Sequence, residues 1–254
     1  MGILRPSVCI DAVYGEITQS EAVSEVSKAG INAFEFWGWW DRDLESLLNA
    51  KQEFGLSVSA CCTHFISLVD ATKRDAYLEG LASTIEATKR IGTQTIISQV
   101  GDLLPTIGRD EQRQSLIDGL KEAAPMLEAS GRTLVIEPLN ELVDHAGYFL
   151  IRSDEAFEIV RRVGSSAVKV VFDIYHQQIS EGNLIANIEP NIDLIGHFHA
   201  AGNPGRNELS RGEINYREVF AAIRETDYDG YVGLEYWPKS DPASELRMID
   251  EWLS

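Results

Sequence analysis

The stretch SDEAFEIVRRVGSSAVKVVFD, from Ser153 to Asp173, carries two periodicities side by side. Its first part, SDEAFEIVRRVG, is amphipathic at helical spacing, opens on a serine and closes at a glycine, the residue types that start and stop helices. Its second part, VKVVFD, is a short apolar run of strand length that ends in a carboxylate. A helix leading into a strand is one beat of a βα alternation.

The same beat extends outward in both directions. Strand-like runs lie at Ser7 to Asp11, Ile31 to Phe36, Leu56 to Cys62, Thr93 to Ser98, Arg132 to Glu137, Val168 to Asp173, Asp193 to His199 and Tyr231 to Tyr236. Between them stand amphipathic stretches such as TQSEAVSEVSKAG, RDAYLEGLASTIEATKRIG, DEQRQSLIDGLKEAAPMLEASG and NYREVFAAIRETDYDG. No linker, charge block or low-complexity tract divides them. Eight βα units in 254 residues predict an α/β fold, a single (β/α)8 TIM barrel with residues 1–254 as one domain. The alternative, an open doubly wound sheet, usually carries a glycine fingerprint after its first strand, and DAVYGE is not one.

Composition narrows the partners. The chain is 44% hydrophobic, yet no segment approaches the roughly 20 apolar residues of a membrane span. The start, MGILRPSVCIDAVYG, lacks the pattern of a signal peptide, so a cytoplasmic location is expected. Cys9, Cys61 and Cys62 are an odd set without metal-finger spacing, expected to be reduced and partly buried. A net charge of −18, with no basic patch, repels nucleic-acid phosphates and anionic membranes. The expected partner is a small molecule, with no nucleic acid and no membrane; a homo-oligomer is compatible with the chain.

In a barrel the reactive groups stand where the strands end. Those positions, or the ones just beyond, are Asp11, Glu35, His64, Gln99, Glu137, Asp173, His199 and Glu235. The apolar residues before Glu137, Asp173 and Glu235 place these carboxylates at the inner mouth, where an unpaired charge is costly. A divalent cation is the compact way to hold three of them together, and His199 completes the donor set. That oxygen-rich composition suits Mg²⁺ or Mn²⁺, with Co²⁺ compatible, better than a thiolate zinc site. Substrate oxygens in the open positions of such a cation would be polarised and a neighbouring C–H acidified, giving an enediolate. Glu137 and Glu235 come from opposite parts of the ring and can serve as the acid/base pair.

These residues resemble the hydroxypyruvate isomerase family, within the xylose isomerase-like barrels that also include ketose 3-epimerases and apurinic endonucleases. The resemblance covers essentially the whole chain and rests on IEPLN with the nearby GYFL, VFDIYHQQISEGNL, IGHFHAAGNPGRNELSRGEINY and GLEYWP. It implies that Glu137, Asp173, His199 and Glu235 bind the metal, that Glu137 and Glu235 are also catalytic, and that His176 binds a substrate oxygen near the metal. The position matching His199 is commonly glutamine in hydroxypyruvate isomerases and histidine in ketose 3-epimerases. Both isomerisation, for instance of hydroxypyruvate to tartronate semialdehyde, and epimerisation of a ketose therefore stay open. Apurinic endonucleases use a multi-metal cluster with more histidines and a basic groove; five histidines and a charge of −18 argue against that activity.

Several further residues carry expectations. Arg206, after the turn GNPG, is expected to hold a substrate carboxylate or terminal hydroxyl, because a guanidinium reads planar anions bidentately. His64 and Gln99, with Glu35, can reach substrate hydroxyls or serve as hydrogen-bonding residues behind the site. FEFWGWW, Phe34 to Trp40, either walls the pocket or packs against helices, and His145 reads as a loop residue. His197 shares a strand face with His199 one layer deeper, which suits a supporting, hydrogen-bonded role.

Overall fold

The computed structural model describes residues 2–253. Eight parallel strands close in sequence order into a barrel: β1 Arg5–Cys9, β2 Ala33–Phe36, β3 Ser57–Cys62, β4 Thr95–Ser98, β5 Thr133–Ile136, β6 Val168–Asp173, β7 Ile195–Ala200 and β8 Tyr231–Leu234. Helices fill the crossovers, and the stretch from Ser153 to Asp173 becomes the helix Ser153–Val163 followed by β6. Asp154 and Glu155 lie in the first turn of that helix and Arg161 and Arg162 in its last, each charge matched to the helix dipole. Gly164 ends it at φ 77°, a left-handed conformation that costs glycine little. Thr18 and Glu21 form a reciprocal capping box at the start of the helix Gln19–Lys28.

The strands alternate between two cores. Val168, Val170 and Phe172 on β6 join the large apolar layer between sheet and helices. Val171 joins a small interior cluster with Ala60, Cys62, Ile97 and Val135. Each large side chain buried in the outer layer contributes roughly 1.5–3 kcal/mol, so the outward residues fix the strand register. The inward face is then free to carry polar groups at its end. Two residues above Val135, Val171, His197 and Gly233 stand Glu137, Asp173, His199 and Glu235.

Some boundaries differ from expectation. The first strand is Arg5–Cys9 rather than Ser7 to Asp11, and Asp11 lies in the short helix Ile10–Val13. There its carboxylate accepts from the Trp37 backbone N–H at 2.8 Å and from the Arg42 guanidinium at 2.6 and 2.7 Å. Asp11 thus anchors the loop after β2 and stays out of the barrel mouth. Asp193 lies in the 3₁₀ segment Glu189–Leu194, so β7 begins at Ile195. Cys9, Cys61 and Cys62 are free thiols, fully rather than partly buried, and burial raises the pKa of all three, Cys61 to about 12. Among the described residues no helix is long and apolar enough to cross a membrane.

Candidate metal centre and active site

Strands β5 to β8 deliver the four expected donors to one point. Glu137, Asp173, His199 and Glu235 are all buried, and each offers a ligand atom within 4.8 Å of the others. Register does part of this: Asp173 pairs with His199 across β6 and β7, and His199 with Gly233 across β7 and β8. His199 Nδ1 faces the three carboxylates, at 2.9 Å from Glu137 Oε1, 3.6 Å from Glu235 Oε2 and 4.0 Å from Asp173 Oδ2.

The electrostatics show a cluster short of positive charge. Burial pushes Glu137 above the ordinary carboxylate range in spite of His199, and nearby Glu235 and Asp173 add to the rise. Burial also raises Asp173, against the pull of Arg206 and His199. Burial opposes ionisation of Glu235 too, but the guanidinium of Arg206 and the imidazole of His199 outweigh it and hold Glu235 low. His199 is desolvated, yet Glu137, Glu35 and Glu235 lift it well above 6.5. The cluster therefore favours positive charge among its carboxylates. Three carboxylates and one imidazole at this spacing fit a hard divalent ion.

Both oxygens of Glu235 are held. Trp37 Nε1 donates to Oε1 at 2.6 Å, and Arg206 donates to Oε2. Arg206 is itself largely buried, 4.8 Å from the centre of the Trp237 ring, and keeps Nε without a partner. Its φ of 54° puts a non-glycine residue in the left-handed region, a conformation maintained by the surrounding loop. Trp237 N–H donates to Arg206 O at 2.9 Å, and Asn207 Nδ2 donates to Trp237 O at 2.8 Å. His176 lies in the first turn of the helix Ile174–Ser180, and its N–H donates to Oδ1 of the capping Asp173 at 3.0 Å. Its Nδ1 accepts from Asn140 N and Nδ2 at 3.2 and 2.7 Å, which leaves the proton on Nε2. Nε2 is buried, without a hydrogen-bond partner, and 3.7 Å from Asp173 Oδ2.

A cavity of about 270 Å³ opens above the cluster, walled by Trp37, Phe65, Gln99, Leu139, His145 and Trp237. Glu137, His199, Arg206 and Glu235 also line it. Gln99 points no side-chain hydrogen bond at the protein among the described residues. His64 does not line the cavity; it stacks on Trp40 with ring centres 4.3 Å apart, and Trp40 meets Phe65 edge-on at 5.3 Å.

The sequence profile of xylose isomerase-like TIM barrels matches residues 23–252. The chain belongs to that family. Hydroxypyruvate isomerase of Escherichia coli (strain K12) is 29% identical over 259 residues, covering 98% of this chain and 100% of its own length. The 2-oxo-tetronate isomerase of Cupriavidus necator is 35% identical over 181 residues, covering 71% of this chain and 69% of its own. Among solved structures, an AP endonuclease, family 2, from Brucella melitensis superposes with TM-score 0.91 at 24% identity, covering 99% of both chains. D-Psicose 3-epimerase from Clostridium cellulolyticum H10 superposes with TM-score 0.80 at 18% identity, covering 98% of this chain and 95% of its own. These two structures share the fold with this xylose isomerase-like barrel.

Against the expectations, Glu137, His199, Glu235, Arg206 and Gln99 line the cavity, Asp173 and His176 stand buried next to the cluster without lining it, and His64 is left behind the wall. FEFWGWW divides between its two readings: Trp37 walls the cavity, whereas Trp39 donates Nε1 to Thr84 Oγ1 at 3.1 Å and Trp40 packs on His64. His145 lines the cavity with its ring 5.3 Å from that of His176, a closer place than a plain loop residue. Sequence reasoning missed the indole bond of Trp37 to Glu235, the part of Asn140 in orienting His176, and Trp237 against Arg206. Asn140 and Trp237 were already inside the motifs IEPLN and GLEYWP.

Proposed function

We propose that this protein is a divalent-metal-dependent isomerase that exchanges the carbonyl and hydroxyl positions of a small hydroxy-carbonyl acid or sugar. The relatives named hydroxypyruvate isomerase support the conversion of hydroxypyruvate to tartronate semialdehyde. The observation that carries the reading is the convergence of His199 Nδ1 and three buried carboxylates beneath a cavity. Glu137, Asp173, His199 and Glu235 would hold Mg²⁺ or Mn²⁺, with Co²⁺ as a substitute. When bound, the ion polarises substrate oxygens and makes a neighbouring C–H more acidic.

The protein's own groups do the rest. Glu137 and Glu235 flank the cavity floor from β5 and β8, and one takes a proton from carbon while the other supplies one. Trp37 and Arg206 fix the Glu235 carboxylate, so its lone pairs are aimed before substrate arrives. The unpartnered Nε2–H of His176 donates to a substrate oxygen beside Asp173. Arg206 meets a substrate carboxylate with the donors that Glu235 leaves free, and Gln99 meets a hydroxyl. His64 backs the Phe65 wall through Trp40. The aromatic and aliphatic walls exclude water from the carbanion-like stage.

Epimerisation of a ketose uses the same parts, and His199 in place of the glutamine common to hydroxypyruvate isomerases favours it. The deciding experiment incubates metal-loaded and chelator-stripped protein with hydroxypyruvate and with three- to six-carbon ketoses in deuterated water, followed by NMR. Metal-dependent deuterium incorporation with a change of carbonyl position supports the isomerase. Incorporation with inversion of one carbon transfers the proposal to the epimerase. Absence of both with every substrate refutes the metal-dependent reading.

A further inference from the structure

We propose that Glu35 is the positioning residue that sets the orientation of His199 and the side on which its ring keeps a proton, so that Nδ1 offers its lone pair to the cation. The inference rests on the reading of the four donors as a metal centre.

Glu35 stands on β2, across the barrel from the donors, and is 2% exposed. Its Oε1 lies 3.1 Å from His199 Nε2, an ion-pair contact, and Nε2 has no hydrogen-bond partner among the described residues. The opposite nitrogen of the same ring, Nδ1, faces Glu137, Glu235 and Asp173. Both ring nitrogens stand beside carboxylates, Nδ1 at 2.9 Å from Glu137 Oε1 and Nε2 at 3.1 Å from Glu35 Oε1; with a cation on the Nδ1 side, the remaining proton belongs on Nε2, beside a carboxylate that can only accept. A neutral imidazole with its proton there carries its lone pair on Nδ1, toward the proposed cation.

Glu35 is itself locked from below. Its Oε2 accepts from Ser59 Oγ at 2.8 Å and lies 2.9 Å from His197 Nε2. Ser7 Oγ in turn lies 2.6 Å from Ser59 Oγ. Gly233 supplies the room: a Cβ there would strike Glu35 Oε1 and come within 2.7 Å of His199 Cδ2. None of Ser7, Ser59, Glu35 and His197 lines the cavity, so Glu35 acts on the reaction only through His199. An amide in its place has a single acceptor oxygen, whereas three donors face it: His199 Nε2, His197 Nε2 and Ser59 Oγ. Its NH₂ group must oppose one of them, and the paired imidazole or hydroxyl loses its orientation.

The test compares wild type, Glu35→Gln and His199→Ala in titrations with Co²⁺, read by visible absorption, with near-ultraviolet dichroism and the thermal midpoint as checks of folding. Glu35→Gln is expected to fold, to bind Co²⁺ roughly 10- to 100-fold more weakly and to shift the absorption band. A folded Glu35→Gln protein with the wild-type band and affinity would overturn the proposal. A wild type that takes up no Co²⁺, or a His199→Ala protein that binds it unchanged, would sink the metal-centre reading and this inference with it. Histidine ¹⁵N NMR on the Zn²⁺-loaded wild type needs no variant to fold. It is expected to show His199 protonated at Nε2 and metal-bound at Nδ1; the reverse assignment overturns the role of Glu35.

Discussion

The two halves of this barrel are built alike and used differently. Strands β5 to β8 each bring one member of the buried Glu137, Asp173, His199 and Glu235 cluster, the proposed cation ligands. Strands β1 to β4 and their loops present Glu35 beneath His199, Trp37 beside Glu235, and Gln99 and Cys62 on the cavity wall. Parallel closure sets the last inward residues of neighbouring strands side by side, so four consecutive strands suffice to surround one ion. The opposite half is then free to orient those donors and to meet whatever lies above them. Under the proposed function, the difference separates residues that move protons from residues that decide where those protons and the substrate stand.

The largest break in the comparison comes from neutralising an acid/base group. Glu137→Gln and Glu235→Gln each keep the shape of the site and remove a proposed proton carrier, so deuterium exchange into substrate should fall by about 10²- to 10⁴-fold in kcat. The same rate measured for Thr84→Ser, on the wall side behind Trp39, should stay within a few-fold of wild type. Equal losses in the two halves would erase the distinction.

Stability of the metal-free protein should expose the crowding of the β5–β8 half. The His199 pKa is raised above its ordinary 6.5, so its stabilising contribution is complete below 6.5 and is lost as pH rises through the folded value. Glu137 and Asp173 are also raised, from 4.5 and 3.8, and act with the same sign. Glu35 and Glu235 are lowered, so their contributions are present above 4.5 and are lost only as pH falls. The thermal midpoint without metal should therefore decline from pH 6.5 upward. Saturation with Mn²⁺ at about 100 times its Kd should add roughly 2.7 kcal/mol and flatten the slope. Glu137→Gln should abolish much of that gain.

Gly233→Ala tests how tightly the halves meet. A methyl group at this point of β8 collides with Glu35 from β2 and with His199. Overpacking of this kind costs about 1–3 kcal/mol, measurable by urea unfolding, and should also weaken Co²⁺ binding. Unchanged stability would mean that Glu35 can move away, and that the clamp on His199 is looser than its distances indicate.

How much of this could be read from residues alone follows the same division. Apolar runs alternating with capped amphipathic stretches specify strands and helices locally, and their number specifies the barrel. Glu137, Asp173, His199 and Glu235 were legible because each closes an apolar run, where a carboxylate or imidazole is costly to bury without a partner. Asp11 sits at the same kind of place, yet its chain turns into a helix one residue earlier and it pairs with Arg42. His64 follows β3 closely, but its ring turns to Trp40. Nothing in the order of residues states that Trp37 will reach Glu235, 198 positions away, or that Asn140 will reach His176. Such contacts depend on closure and on rotamers, and they become visible only when the strands are joined.

The finest test of the division is Gln99→Ala. Gln99 follows β4, lines the cavity and makes no side-chain hydrogen bond to the described protein, so its amide is available to substrate. A single such bond is worth about 0.5–1.5 kcal/mol, or roughly two- to tenfold. A bond to a hydroxyl whose charge does not change in the reaction is made equally to ground state and transition state. Its loss should therefore raise KM by that factor and leave kcat unchanged in steady-state assays. A fall in kcat instead would show that the β1–β4 wall also shapes the transition state, and the two halves would no longer be separable by function.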